Sequence, residues 1–68
     1  MSLHEYLESQ EIDKHNYQFY ALLMALIRKA DTNNLSKLTL MWPDTVAEFR
    51  ARYNAPGGVL ILEEDHEV

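Results

Sequence analysis

Apolar residues recur through positions 16–30 at the helical period, and they cover more of the circumference than a single core face needs. Placed on a helix, Leu22, Leu26, Phe19, Ala30, Leu23, Ile27, Tyr20, Met24 and Tyr17 form one continuous arc. Gln18, Ala21, Ala25, Arg28 and Lys29 lie opposite. A surface helix of a globular protein carries a narrower stripe. The segment is therefore expected to be a central helix that other segments, a second copy or a partner protein must cover.

Shorter helices flank it. Residues 3–10 place Leu3, Tyr6 and Leu7 on one face, and Ser2 followed three residues later by Glu5 has the spacing of a capping box. Asp13 to Asn16 form a polar break before the central helix. Asp31 and Thr32 offer side-chain oxygens to the amides of a new first turn, which predicts a tight turn and a third helix. Leu35, Leu38 and Trp42 share the face of that helix, whereas Leu40 and Met41 point elsewhere and call for burial of their own. Pro43 disfavours helical geometry at Trp42 and suits the first position of a fourth helix, residues 43–53. Asp44 and Glu48 stand towards its start and Arg50 and Arg52 towards its end, matching the helix dipole. Glu48 can pair with Arg52 one turn on. Val46, Phe49 and Tyr53 form its buried stripe. Asn54 is expected to take a left-handed conformation, and Pro56, Gly57 and Gly58 then forbid continuation.

The expected fold is thus all-α: a helical domain over residues 1–58, with about four short helices, and an arm over residues 59–68. Val59, Leu60, Ile61 and Leu62 give the arm an apolar, β-favouring start, and Glu63, Glu64, Asp65 and Glu67 make its end acidic. No second strand is visible to pair with it, so the arm is expected to dock on its own body or on a sister subunit.

Length changes the weight of these patterns. A 68-residue chain buries a smaller share of its surface than a larger domain does, and this one has no cysteine to staple it. Association with another copy is the remaining common device for so small a core. The absence of cysteine fits a reducing cytoplasm, no apolar run spans a bilayer, and no signal-peptide pattern stands at the start. A cytoplasmic protein without a membrane segment is expected.

The net charge of −5 opposes loose binding to nucleic acid. The turn from the third helix into the fourth invites a helix-turn-helix reading through Lys37, Arg50 and Arg52. Against it, the first part of the fourth helix carries Asp44 and Glu48, which phosphates repel. An acidic inhibitor of a host nucleic-acid enzyme is the converse reading, but the helical body alternates signs and lacks an acidic ridge. His4 with Glu8 supplies too few ligands for a metal site, and His66 among Glu63, Glu64, Asp65 and Glu67 is expected to be a solvated acidic tail, so neither metal nor other cofactor is expected. No carboxylate pair, cysteine nucleophile or glycine-rich phosphate loop marks a reaction, and an enzyme is not expected.

Three runs carry a resemblance. Arg28-Lys29-Ala30-Asp31-Thr32, Asn34-Leu35-Ser36-Lys37-Leu38 and Arg52-Tyr53-Asn54-Ala55-Pro56-Gly57-Gly58 resemble recurring phrases of short uncharacterised proteins of bacterial phages and mobile elements. The resemblance spans about half the chain, mostly helix boundaries and caps. It implies a bacterial or phage origin and a small accessory role, and brings no activity or catalytic residue.

The functional expectation is a non-enzymatic interaction or accessory protein forming a homodimer or other homo-oligomer, with an unidentified protein as the other candidate partner. Tyr17, Tyr20 and Met24 on the flank of the central arc, and Val59, Leu60, Ile61 and Leu62 in the arm, are the expected interaction residues. Trp42, Phe49 and Tyr53 supply packing or further contact.

Overall fold

Side-chain caps open two of the helices where the sequence places them. Ser2 Oγ accepts the Glu5 N–H at 3.2 Å, while the Glu5 carboxylate sits 3.7 Å from the amine of Met1. Asp31 Oδ1 accepts the Asn34 N–H at 2.8 Å. In the computed structural model, which describes residues 1–60, the elements are α1 (Leu3–Asp13), α2 (Phe19–Lys29), α3 (Thr32–Met41), α4 (Pro43–Asn54) and a 3₁₀ turn, Pro56–Gly58. The fold is all-α, a small bundle of four short helices, with no strand among the described residues.

Two boundaries differ from expectation. α1 runs past residue 10 to Asp13, since Glu11 and Asp13 do not interrupt a helix and Lys14 Nζ pairs with Glu11 Oε1 at 2.9 Å. It is Asn16 that turns left-handed, at φ 53°, and closes α1. The central helix consequently starts at Phe19 and not at residue 16, with Gln18 extended before it. Asn54 does not take the left-handed role either. It ends α4 in helical geometry, with its side-chain amide donating to the Arg50 carbonyl at 2.9 Å, and positive φ falls on Gly57 (61°) and Gly58 (72°). Glycine adopts that region without a Cβ penalty, so the reversal settles there.

The short connections follow the sequence. Ala30 and Asp31 are both extended and form the whole link between α2 and α3. Trp42 alone separates α3 from α4, at φ −134° and ψ 62°, because the ring of Pro43 excludes a helical residue before it. One consequence is testable at the α3 start. Replacing Asp31 by alanine removes the acceptor for the Asn34 amide and is expected to cost about 1 kcal/mol, read as a lower urea midpoint at unchanged slope.

Packing gathers on α4 and not on α2. α2, α3 and the 3₁₀ turn each pack against α4. The core consists of Leu23 and Ile27 from α2 and Val46 from α4, with Leu35, Leu38, Trp42 and Phe49 half-buried around it. Val46 is 2% exposed because it lies at the crossing of α4 with both neighbours, whereas Tyr53, expected in the same stripe, lies past that crossing and stays exposed. α1 buries no residue. Its expected inner residues Leu3, Tyr6 and Leu7 are exposed, since Gln10 interrupts the stripe after two turns and leaves too little apolar length to seat a helix. The Cα radius of gyration is 14.6 Å, against about 11 Å for a compact chain of this length.

Candidate protein-interaction surface

The wide apolar arc of α2 survives as surface. Leu23 and Ile27 point into the core, but Phe19 (61% exposed), Leu22 and Leu26 (54%) form a strip along one side of them, and Tyr20 is exposed on the other. Helical spacing explains the split. Residues 19, 22 and 26 fall within about 60° of one another, and α4 is too narrow to cover them as well as the strip through 23 and 27. These three form one end of the arc, whereas the residues expected to make contact were Tyr17, Tyr20 and Met24 at its other end. The sequence did carry the signal, in the excess width of the arc.

Aromatic contacts extend the strip. The Phe19 ring lies 5.3 Å from the Tyr20 ring, edge-on, and 6.4 Å from the Trp42 ring. At the other end, Leu26 faces a groove of about 810 Å³ between α1 and the α2–α3 corner, with Ala30, Leu38 and Tyr6 in its walls and Lys29 and Lys37 at its edges. Leu40 and Met41, expected to find burial against another element, are exposed instead, because α3 ends one residue before the chain turns away into α4.

The expected interaction residues divide. Tyr20 is exposed beside Phe19, and Met24 is half-buried in a cleft with Asp44, Thr45 and Glu48. Tyr17 is exposed but lies outside α2, stacked on His15 at 5.4 Å, so it does not continue the helical arc. Val59 and Leu60 are half-buried and follow the 3₁₀ turn, with Val59 extended at φ −91° and ψ 124°. Ile61, Leu62, and the acidic residues with His66 beyond them lie outside the described residues.

A second groove, of about 670 Å³, lies between α2 and α4 on the opposite side of α2 from the Phe19 strip. Arg28 crosses it with its guanidinium 5.2 Å from the Phe49 ring and 5.6 Å from the Tyr53 ring. Arg52 Nε donates to Glu48 Oε2 at 3.0 Å and its Nη1 to the Gly58 carbonyl at 2.9 Å, which ties the 3₁₀ turn to α4. The expected Glu48–Arg52 pair is thus formed.

Other candidate chemistry is scattered. His4 Nε2 lies 3.1 Å from Glu8 Oε1 on exposed α1, and no group of three metal-ligating side chains gathers among the described residues. Lys37 and Arg52 line separate depressions, while those of Arg50 and Arg52 adjoin through Arg28, Phe49 and Tyr53. No described helix is long and apolar enough to cross a membrane. No protein-family model, no curated protein and no solved structure matches this chain.

Proposed function

We propose that this protein is a non-enzymatic interaction or accessory protein that self-associates, as a homodimer or higher homo-oligomer, through the Phe19, Leu22 and Leu26 strip. The observation that carries this reading is the exposure of that strip beside a core that, among the described residues, consists of Leu23, Ile27 and Val46. A contiguous exposed apolar patch on so small a body stabilises far more when a second surface covers it than when water does. A second copy is the simplest cover, since a two-fold interface reuses the same strip on both subunits and needs no other gene product.

Further support is chemical. The grooves are lined mainly by aliphatic and aromatic side chains, and the ionic groups that flank them are cationic or already paired. That pattern suits macromolecular contact better than proton or group transfer. Cytoplasmic placement and an origin in a phage or bacterial element belong to the same proposal. The first draws on the cysteine-free composition and the second on the sequence phrases quoted above.

Molar mass by light scattering across a dilution series tests the reading. A dimer or larger species that dissociates on dilution is the expected result, and a monomer at every concentration overturns self-association.

A further inference from the structure

α1 is the helix that contributes nothing to the core. It buries no residue, yet Leu3 (71% exposed) and Leu7 (49%) stand one turn apart on it, with Tyr6 beside them. The groove between α1 and the α2–α3 corner does not take this pair. α1 turns Glu5 and Ser9 towards that groove, and Leu3 and Leu7 fall roughly 160° round the helix from those two. Held this way, α1 keeps its leucine pair turned away from its own groove, where another molecule can reach it.

The groove itself matches that pair. Its floor is aliphatic, from Leu26, Ala30 and half-buried Leu38, and its volume of about 810 Å³ lies in the range that holds a short apolar segment. Its edges are basic. Lys29 and Lys37 stand there and make no ion pair among the described residues. α1 has the opposite sign. Glu11 stands one turn after Leu7 with Glu8 beside it, Glu5 and Asp13 add to them, and the last turn of the helix has no basic residue. The present partners of Glu8 and Glu11 are exposed His4 and Lys14, and surface pairs of that kind exchange at little cost. Helix and groove are thus complementary in apolar content and in charge. Because one chain carries both, two copies can each lend a helix and each lend a groove, which is a closed two-fold arrangement. Leu26 belongs to the groove and to the Phe19 strip alike, so such a contact continues the self-association surface.

We infer that the α1 helix of one copy lies in the groove of a second copy, which does the same in return. Leu3 and Leu7 rest on Leu26, Ala30 and Leu38, and the carboxylates of Glu8 and Glu11 meet Lys29 and Lys37. The contact presupposes the self-association proposed above and supplies the surface that meets it. A leucine pair too short to seat α1 in its own chain suffices here, since two-fold symmetry doubles it and the Phe19 strip adds to the same interface.

Molar mass across a dilution series, read on two sets of variants, tests this contact. Leu3→Gln with Leu7→Gln is expected to raise the dissociation constant about a hundred-fold, while helix content by circular dichroism stays at the parent value because α1 buries nothing. Charge reversal tells whose groove is filled. Glu8→Lys with Glu11→Lys in one chain, and Lys29→Glu with Lys37→Glu in another, are each expected to assemble about tenfold more weakly than the parent at low salt. A mixture of the two should recover assembly, because each α1 then meets a groove of opposite sign on the other chain. Both variants keep a negative net charge, so general attraction does not bring them together. An unchanged dissociation constant for the glutamine pair overturns the inference. So does a mixture no stronger than its components, since α1 would then lie on its own body. A parent that is monomeric at every concentration overturns self-association and this contact with it, whereas an assembled parent indifferent to the α1 variants overturns this contact alone.

Discussion

Leu23→Ala is expected to lower stability by about 3 kcal/mol, within the range for emptying a buried leucine site. Leu23 is 5% exposed and packs in a core whose other fully buried members are Ile27 and Val46. With so few buried side chains, no second layer can collapse into the space. A domain of this length holds in total about 3–10 kcal/mol, so the loss approaches the whole of it. Thermal unfolding followed by circular dichroism at fixed protein concentration would show a much lower midpoint, or no cooperative transition at all. Leu40→Ala is the control: its parent side chain is 82% exposed, and a change within about 0.5 kcal/mol is expected. Equal midpoints for the two variants would mean that the core lies elsewhere.

The second large effect concerns assembly. Replacing Phe19, Leu22 and Leu26 together by glutamine is expected to weaken self-association by about 4 kcal/mol, on the order of a thousand-fold in the dissociation constant. Each of these side chains loses apolar area that only a second surface would remove from water. Because all three are exposed in the isolated chain, the helix content of the variant should be unchanged, and glutamine keeps good helix propensity. Light scattering at a concentration where the parent is assembled should return the monomer mass. A variant that keeps the parent mass would move the interface off this strip. The two experiments separate cleanly, since Leu23 and Leu26 are neighbours on α2 but face different surroundings, one the core and the other solvent.

These contrasts mark how far the site was legible. Tyr20 and Met24 were readable as edge residues from their angular position alone. Phe19, Leu22 and Leu26 were readable as apolar but not as exposed, because periodicity gives the width of an arc and not which part of it a neighbour covers. Tyr17 was misplaced by a single local event, the left-handed turn at Asn16, which detaches it from the helical phase. Nothing in the sequence reveals that Arg28 sits over Phe49 and Tyr53. Those residues are more than twenty positions apart, and only the crossing of α2 with α4 brings them together.

Local chemistry by itself determined the all-α class, the Asp31 cap, the two-residue α2–α3 link, the break at Trp42 before Pro43, the Glu48–Arg52 pair and the stop at the glycines. Each depends on backbone sterics or on groups within four residues, and such interactions are complete before distant segments meet. What only the tertiary structure decided is which apolar residues become core. α4 rather than α2 gathers the other elements, α1 finds no apolar stripe long enough to seat it, and the Phe19 strip is left in water. The physical reason is geometric competition. Helices of 10 to 12 residues offer one contact face each, and the short links, Ala30–Asp31 and Trp42, determine which faces meet.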